Sequence, residues 1–509
     1  MNDLLSPATL PEPAPPANSA VAPPRPTAAS AGLRTAGGAS LGRALADRVA
    51  GHIQHGQLAP GARLPSVRQG ARLHGVSPST VVAAYDQLQA QGLVEARRQR
   101  GFFVRQPQVA SRAAAAAQTA TVPIVVPVDA TALIRGMFHH GAQPAGPGMG
   151  TLPASWLDAR LLDRATRRAL GAASDALRYG DPAGDPALRQ ALSRRLGSDL
   201  GIAAAPGQIV TTLGATHALD VISRTLLQAG DAVLVDEPGW AVEFARLTRL
   251  GMRLLPVPRG PDGPDLAVMA SLLAEHRPRL YVTVSVLHNP TGHSLSLAAA
   301  HQILKLAEQH GLTIVEDDTY AWLAPPHLPR LSALDGLQRT LYVSGFSKIL
   351  APNWRVGYLA AAPALAERLI DTKLLGALTT PALHEQAVAW CLDQGLLRRH
   401  ADRMRQRLDT ARSRVVRLAQ AAGCHFAAPP QGLFGWVDTG VDTEARAQEM
   451  AAIGWLVAPG RLFLATPRHS TLMRVNFASA QDPLFWQAFK SARESLAGAP
   501  ASSRGPAGA

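Results

Sequence analysis

Lys348 lies in a Ser/Gly-rich stretch, SGFSKILAPNWRVGY (344–358), and Arg355 follows it seven residues later. A lysine amine can form a Schiff base with an aldehyde, while a small-residue turn and an arginine can hold a phosphate group. The pair is therefore typical of a site for a cofactor that carries both groups. Ser-Lys pairs are also common on solvated turns, so the interpretation depends on the residues upstream.

Three turn segments that precede Lys348 in the sequence contain residues that suit the phosphate and the ring of such a cofactor. In TTLGATHALDVIS (211–223), Ala215 and Thr216 open a helix, where backbone N–H groups and a hydroxyl favour a bound anion. DEPGW (236–240) ends a strand with Trp240, which could stack on a planar ring, and Tyr179 precedes a Gly/Asp/Pro turn. Taken singly, each of these residues is as compatible with packing as with ligand binding.

Four further polar residues complete the set. Asn289 follows an apolar strand in LHNPTGHSL (287–295) and could donate its amide to a phenolate oxygen, which Tyr320 could share. Asp317 ends a strand, where a carboxylate can keep a pyridine nitrogen protonated and so make the ring an electron sink. Arg474 could bind a substrate carboxylate through a bidentate fork. Turn formation at Asn289 and an exposed strand arginine at Arg474 are the simpler alternatives.

These residues follow strand-like runs in a stretch that extends from about Gly146 to Leu496. The runs DAVLVDEP, RLYVTVSV, LTIVEDD and TLYVSGF alternate with helix-like segments. The alternation predicts an α/β domain with a mainly parallel sheet, in which sites form at the carboxyl ends of the strands. The predicted fold class is α/β, with a small N-terminal domain before this large one.

The segment before it, residues 41–105, is basic and has a helical pattern. It contains nine arginines and three acidic residues, and so has a net charge of +6. Apolar residues recur every four positions from Leu45 and predict a first helix. Ser66 is the predicted N-cap of a second helix that ends at Gly75, and Ser77 the N-cap of a third.

The third helix has two different faces. Its predicted inward stripe is Val81, Tyr85 and Leu88, and its predicted outward residues are Ser79, Thr80, Ala83 and Gln87. Short side chains on the outward face allow the close approach to a groove floor that a recognition helix needs. LVEARRQRGFFV (93–104) then predicts two short strands around a basic turn, as in a wing. A three-helix packing module that does not bind DNA is the alternative.

Composition limits the classes of protein that this chain can be. No run of 18 apolar residues is present, which argues against a membrane span, and the N-terminus has no apolar core of a secretory signal. The two cysteines, Cys391 and Cys424, lack metal-type spacing, so neither a disulfide framework nor a zinc site is expected. A cytoplasmic protein without a metal fits these features.

The pattern along the chain predicts five regions. Residues 1–39 are rich in Pro, Ala and Ser and are predicted to be disordered. The remaining regions are a basic domain (40–105), a linker (106–145), the α/β domain (146–496) and a disordered tail (497–509).

The basic domain resembles the GntR-type winged helix-turn-helix. The residues that carry the resemblance are Leu64-Pro65-Ser66, Arg68, His74-Gly75-Val76-Ser77, Thr80-Val81, Ala84-Tyr85, Leu88, Gly92-Leu93 and Gly101. The resemblance implies phosphate contacts from Ser66 and Arg68. It also implies groove contacts from Ser77, Ser79 and Thr80, and a wing tip at Arg100-Gly101. Pro78 departs from the family, which often has a basic residue there, so a base contact expected at that position is missing.

The α/β domain resembles the fold-type I, aspartate aminotransferase-like domain that binds pyridoxal 5'-phosphate (PLP). The resemblance implies that Lys348 forms the internal aldimine, that Asp317 binds the pyridine nitrogen, and that Trp240 stacks on the ring. It further implies that Asn289 and Tyr320 bind the ring hydroxyl. The implied phosphate ligands are Ala215, Thr216, Ser347 and Arg355, with Tyr179 from a partner subunit. Gly345 stands where the family often has Ser or Thr, and Ser344 is expected to compensate.

A GntR-like reader joined to an aminotransferase-like domain is the architecture of the MocR family of transcriptional regulators. The resemblance implies a PLP-dependent regulator that binds double-stranded DNA and senses PLP or an amino compound through an aldimine. It also implies a head-to-tail homodimer. A catalytically active aminotransferase that acts on an amino acid is the alternative, because the pocket is complete, with Lys348 as its catalytic residue and Arg474 for the carboxylate.

Overall fold

The computed structural model describes residues 41–54, 62–97, 101–105, 134, 146–172, 178–325 and 327–497. The chain divides into two compact units, one within residues 1–123 and one within residues 124–509. The predicted arm, nearly all of the predicted linker and residues 498–509 of the predicted tail lie outside the described residues. No helix in the described ranges has both the length and the apolar character that a membrane crossing requires.

The first unit has the predicted three helices and two strands. They are α1 (Leu41–Gln54), α2 (Val67–His74), α3 (Pro78–Ala90), β1 (Val94–Arg97) and β2 (Gly101–Val104). The Ser66 hydroxyl accepts from the Gln69 N–H and the Gln69 side chain accepts from the Ser66 N–H, a capping box that starts α2. Gly75 ends α2 with φ 62°, a left-handed conformation that glycine adopts without strain. These predicted helix ends are confirmed.

The core of the first unit joins its helices to its wing. Val81, Tyr85 and Leu88 are buried, which confirms the predicted inward stripe. The Tyr85 hydroxyl donates to the Pro65 carbonyl at 2.9 Å, and its ring packs on Phe102 with the centroids 4.9 Å apart. The start of α2, the middle of α3 and the wing are therefore held by one side chain.

Apart from residue 134, the described part of the second unit begins at Gly146. Its helices are α4 (Ala159–Ala172), α5 (Pro186–Leu200), α6 (Ala215–Leu226), α7 (Ala241–Arg249), α8 (Leu266–His276), α9 (Leu297–His310), α10 (Leu331–Asp335), α11 (Pro363–Ala377), α12 (Ala382–Asp393), α13 (Leu396–Ala421), α14 (Thr443–Ala452) and α15 (Pro483–Ala497).

The strands of the second unit form two sheets. The strands of the large sheet are β3 (Ile209–Thr212), β4 (Ala232–Glu237), β5 (Arg253–Gly260), β6 (Gly263–Pro264), β7 (Leu280–Thr283), β8 (Thr313–Asp317), β9 (Thr340–Gly345) and β10 (Gly357–Ala360). The strands of the small sheet are β11 (His425–Phe426), β12 (Phe434–Asp438), β13 (Ala458–Pro459) and β14 (Leu472–Asn476).

The large sheet is mainly parallel, as predicted. Its order among the described strands is β3-β10-β9-β8-β7-β4-β5-β6. Strands β9, β8, β7, β4 and β5 pair in parallel, whereas β10 runs antiparallel to both of its neighbours and β6 antiparallel to β5. The carboxyl ends of β3, β4, β7, β8 and β9 therefore lie along one edge of the sheet, where α/β proteins bind ligands.

Helices cover both faces of the large sheet. Successive strand residues point to opposite faces, and both faces carry apolar side chains that pack against helices. On β4, Val233 and Val235 join an apolar cluster with residues of α6, α7 and α11. Leu234, between them, joins a cluster with residues of α8 and α9. The small sheet, in the order β11-β12-β14-β13, packs on α13, α14 and α15.

Candidate cofactor pocket and DNA-binding surface

Lys348 lies three residues after β9, at the carboxyl edge of the large sheet. Its Nζ donates to the Gly150 carbonyl at 2.9 Å. Burial lowers the pKa of the amine to about 8, and the positive charges of Arg474 and Arg355 act in the same direction, while Asp317 opposes them. The amine is therefore closer to its neutral, nucleophilic form at neutral pH than an ordinary lysine is.

Asp317 ends β8 and is buried beside Lys348. Burial raises the pKa of its carboxyl to about 6, although hydrogen bonds from the Thr319 N–H and hydroxyl lower it. The two neighbouring acids, Glu316 and Asp318, accept hydrogen bonds from groups outside the pocket. Glu316 accepts from the N–H groups that begin α10, and Asp318 accepts from Arg330 at 2.6 Å. Asp317 is the carboxylate of this run that faces the pocket.

Asn289, Tyr320 and Arg474 form one buried cluster. Arg474 Nη1 donates to Asn289 Oδ1 at 3.1 Å. Burial raises the pKa of the Tyr320 hydroxyl, and the nearby charge of Arg474 and side chain of Asn289 act in the opposite direction. Arg474 is only 3% exposed, which excludes the alternative of an exposed strand arginine. Burial lowers its pKa to about 10. Its Nε is buried and has no hydrogen-bond partner in the described part of the chain, so the guanidinium retains an unused donor.

Trp240 and Asp317 line the same cavity. Trp240 immediately precedes α7, and Gly239 beside it donates to the Phe463 carbonyl at 2.8 Å. The cavity is also lined by His288 and Val282 of neighbouring segments. The aromatic residue and the carboxylate thus lie on the wall of one small cavity at the sheet edge.

The N-terminus of α6 forms a cup with Arg355 and Ser347. Gly214 precedes this helix with φ 82°, and no described side chain caps its N–H groups. Arg355 Nη2 donates to the Leu213 carbonyl at 2.8 Å, and its Nη1 to the Ser347 hydroxyl at 3.2 Å. Unpaired N–H groups, the helix dipole and a guanidinium together suit a phosphate. The predicted phosphate ligands Ala215 and Thr216 begin this helix.

Two neighbouring residues correct and extend the prediction for the cup. Ser344 is fully buried and donates to the Asp318 carbonyl at 2.8 Å, so the expectation that it replaces the hydroxyl missing at Gly345 is wrong. Residues 344 and 345 point to opposite faces of the strand, and a Cβ on Gly345 would lie 3.6 Å from the Ala215 nitrogen. His217, which the sequence analysis missed, accepts from the Leu213 N–H at 3.0 Å and braces the turn.

Two backbone carbonyls in the pocket had no signal in the sequence. The Gly148 carbonyl accepts from Arg474 Nη2 at 2.7 Å, and the Gly150 carbonyl accepts from Lys348. Every residue carries a carbonyl, so side-chain types cannot reveal which ones reach a site. Tyr179, which is predicted to reach the phosphate of a partner subunit, is 81% exposed on the surface of the unit.

The first unit exposes a cluster of hydroxyls at the start of α3. The Ser77 hydroxyl accepts from the Thr80 N–H and is hydrogen-bonded to the hydroxyls of Ser79 and Thr80, at 2.8 and 2.7 Å. Arg68 is exposed on α2. These predicted DNA-contacting residues therefore lie at the accessible ends of two adjacent helices.

The wing carries a basic residue that the sequence analysis missed. Arg63 pairs with Phe103 of β2, and its Nε would lie 3.6 Å from a Cβ on Gly101, so its side chain lies against the first residue of the second wing strand. Gly101 has φ 97°, which favours glycine. The predicted contact residue Arg100 lies outside the described residues.

Comparison with known proteins agrees with this geometry. Residues 149–484 match the model of the family described as "Aminotransferase class I and II", and residues 41–104 match "Bacterial regulatory proteins, gntR family". The probable rhizopine catabolism regulatory protein MocR of Rhizobium meliloti is 31% identical over 73% of this chain and 76% of its own. The uncharacterized HTH-type transcriptional regulator YisV of Bacillus subtilis is 27% identical over 84% and 91% of the two chains.

A solved structure extends the likeness to the pocket-bearing unit. The α-aminoadipate aminotransferase LysN of Thermus thermophilus, solved with N-(5'-phosphopyridoxyl)-L-leucine, superposes with a TM-score of 0.65. It is 25% identical, and the alignment covers 72% of this chain and 95% of LysN. The chain therefore belongs to the aminotransferase class I and II family and, through the GntR-type unit that precedes this domain, to the MocR-like regulators.

Proposed function

We propose that this chain binds PLP at Lys348 and changes its DNA binding when an amino compound that carries a carboxylate enters the same pocket. The observation that carries the proposal is the meeting of Lys348, Asp317 and the α6 cup at one sheet edge, in a chain with a GntR-type unit. Membership of the aminotransferase family implies PLP as the cofactor, and the uncapped helix and the glycine-lined cup fit its phosphate.

Each pocket residue has a role in holding this cofactor. Lys348 provides the amine for covalent attachment, and Asp317 holds the pyridine nitrogen in its protonated form. Asn289 and Tyr320 donate to the ring oxygen, and Trp240 covers the ring. The phosphate is held by Ala215, Thr216, Ser347 and Arg355. When bound, PLP supplies an aldehyde that exchanges amines and a ring that accepts electrons.

The effector is an amine that also bears a carboxylate. Arg474 is buried next to Asn289 and retains an unused Nε donor, which leaves an unsatisfied cationic group in the pocket. A buried guanidinium is stabilised by a carboxylate that pairs with two of its N–H groups. An amino acid or a similar compound has both groups that the pocket requires. Its amine can exchange with Lys348 on the cofactor, and its carboxylate can pair with Arg474.

The exposed ends of α2 and α3 contact DNA in the proposal. Ser66 and Arg68 bind phosphates, and Ser77, Ser79 and Thr80 reach the groove. Arg100 and Gly101 form the wing tip, where Arg63 adds a further positive charge. The working unit is a homodimer in head-to-tail arrangement, in which the exposed Tyr179 reaches the phosphate cup of the partner.

DNA selection with the purified chain tests the regulatory proposal. We expect salt-sensitive, sequence-selective binding to a site with two half-sites, and a change in affinity when PLP and amino acids are added. Multiple-turnover amino transfer, measured with a panel of amino and 2-oxo acids, tests the alternative of an aminotransferase, which the likeness to LysN favours. Sustained turnover without any sequence-selective DNA binding would contradict the regulatory proposal.

The pH dependence of PLP attachment reports the ionisation of Lys348. Only the neutral amine attacks, so we expect the attachment rate to rise about tenfold per pH unit below pH 8 and to level off above it. Stopped-flow absorbance between pH 6 and 10 measures this rate. Arg474→Gln removes a positive charge that lowers the pKa, so its plateau is expected at higher pH. A wild-type rate that keeps rising to pH 10 would show an ordinary, solvated lysine.

Arg68→Ala tests the phosphate contact on α2. We expect weaker binding to all DNA sequences alike, and a decrease of about one in the slope of log affinity against log salt concentration. Fluorescence anisotropy at several salt concentrations measures both quantities. Arg167→Ala removes the same charge from an exposed pair with Asp163 in the second unit and serves as the control. A loss confined to one operator sequence would show that Arg68 contacts bases.

A further inference from the structure

Residues 146–151, here called the strap, run along the pocket and contain a turn in which the Met149 N–H donates to the Gly146 carbonyl at 3.1 Å. Two of its carbonyls accept hydrogen bonds from two cationic side chains of the site, Arg474 and Lys348. The Gly148 carbonyl accepts from Arg474 Nη2 at 2.7 Å, and the Gly150 carbonyl accepts from Lys348 Nζ at 2.9 Å. The strap thus fills, with neutral oxygen atoms, positions next to both groups that the ligand uses.

Asn476 holds the strap at three of its carbonyls. Its side-chain Nδ2 donates to the Met149 carbonyl at 2.9 Å and to the Thr151 carbonyl at 2.8 Å. Its backbone N–H donates to the Pro147 carbonyl at 2.9 Å. The side chain is fully buried, and its Oδ1 is used by the Ala478 N–H. One asparagine therefore fixes three carbonyls of a six-residue segment.

Close packing leaves the strap little freedom to shift while it stays in place. A Cβ on Gly146 would overlap the Leu456 carbonyl oxygen, and one on Gly148 would lie 2.8 Å from the Val457 carbonyl carbon. The Gly148 N–H also donates to the Leu456 carbonyl at 2.9 Å. A change at the pocket is therefore expected to release this part of the strap as a unit rather than bend it gradually.

Arg474 and Asn476 stand two residues apart on β14, so their side chains leave the same face of the strand. The ligand-binding guanidinium and the amide that holds the strap are thereby neighbours on one strand. A carboxylate on Arg474 places negative charge beside the Gly148 carbonyl oxygen. The guanidinium is a cation with either partner, but a carboxylate adds the attraction of an opposite charge and can pair with two N–H groups, so it is the better partner.

We propose that Asn476 is a positioning residue that holds the strap on Arg474 and Lys348, and that a ligand carboxylate displaces the Gly148 carbonyl and releases the strap. This inference rests on the proposed function, because it requires a ligand carboxylate at Arg474. The strap directly follows residues 106–145, which connect it in the sequence to the GntR-type unit. Ligand binding is therefore converted into a backbone change at the start of the ligand-binding unit.

A pair of stable cofactor adducts tests the release. N-(5'-phosphopyridoxyl)-L-leucine and N-(5'-phosphopyridoxyl)-3-methylbutylamine differ only in the carboxylate, and neither depends on the affinity of an unidentified effector. Hydrogen exchange of a peptide that covers residues 146–151 is measured by mass spectrometry on the full chain with each adduct bound. We expect exchange about tenfold faster with the leucine adduct, which corresponds to about 1.4 kcal/mol of lost hydrogen bonding.

Asn476→Asp and a matched control test the positioning role. The aspartate keeps the acceptor for the Ala478 N–H but turns an oxygen toward the Met149 and Thr151 carbonyls. We expect a strap that exchanges fast with either adduct, and a leucine adduct that gains affinity relative to its decarboxylated partner. Gln481→Glu makes the same amide-to-acid change five residues later, where the side chain donates to Ala478, and should behave as wild type.

The outcomes separate the two proposals. Equal strap exchange in the wild-type chain with both adducts bound would overturn release by the carboxylate, and this comparison stands even when the Asn476 variant does not fold. Wild-type behaviour of a folded Asn476→Asp chain would overturn the positioning role. Failure of both adducts to bind would contradict the cofactor pocket itself.

Discussion

Lys348→Ala is expected to abolish covalent attachment of PLP and to leave the intrinsic DNA affinity within about twofold of wild type. The substitution removes the amine at the centre of the pocket and one hydrogen bond, to the Gly150 carbonyl. The amine and the predicted DNA-contacting residues belong to different units, and changes at sites without shared partners are usually independent in free energy. The visible absorbance of the bound cofactor measures attachment, and anisotropy with labelled DNA in the absence of cofactor measures affinity.

The other lysines provide the controls. The chain has lysines at 305, 348, 373 and 490. Lys373 is also buried, and burial lowers its pKa to about 8, so a lowered pKa does not by itself single out Lys348. Lys373 Nζ donates to the Pro182 carbonyl at 2.7 Å. Lys373→Met and the exposed Lys305→Ala should therefore retain attachment, and equal loss of cofactor and DNA binding in Lys348→Ala would indicate misfolding.

Gly357→Ala is expected to damage the phosphate cup, although Gly357 is not itself a predicted ligand. A Cβ on Gly357 would lie 2.5 Å from the carbonyl carbon of Gly214 and 2.8 Å from the nitrogen of Ala215. These contacts are with backbone, so no rotamer change relieves them, and α6 must move. We expect a loss of about 1–3 kcal/mol, as for other overpacked sites, in stability and in PLP affinity. Thermal unfolding and PLP titration measure the two effects.

Gly197→Ala is the matched control for this substitution. Gly197 lies within α5, is exposed, and has no described heavy atom within 4 Å of the position that a Cβ would take. Replacing an exposed helical glycine by alanine is expected to increase stability by up to about 1 kcal/mol. PLP affinity should be unchanged. Unaltered PLP affinity in Gly357→Ala would show that the phosphate binds away from the start of α6.

The predicted helix ends of the first unit needed only local information. Ser66 and Ser77 precede short amphipathic segments, and a hydroxyl that accepts from a first-turn N–H is a local interaction that stabilises a helix start. The inward stripe of α3 followed from its period. Arg63 was missed, because its approach to Gly101 depends on pairing between the segment before α2 and the wing.

The run Glu316-Asp317-Asp318 shows how far the pocket could be predicted. The end of an apolar strand selected Asp317 correctly for the sheet edge, since the alternation of strand residues is a local property. The partners of Glu316 and Asp318 come from α10 and Arg330, which only folding brings near. Ser344 was assigned wrongly because its face of β9 is directed to the Asp318 carbonyl.

The sequence by itself determined the Lys348 environment in outline, the order of the pocket residues and the two-unit organisation, because these depend on residue types and local periodicity. The tertiary structure decided which groups meet in space. It buried Arg474 beside Asn289, left its Nε without a described partner, and placed the Gly148 and Gly150 carbonyls on the two cationic groups. Such contacts join residues about 200 to 330 positions apart, and carbonyl groups are common to every residue, so no local pattern encodes them.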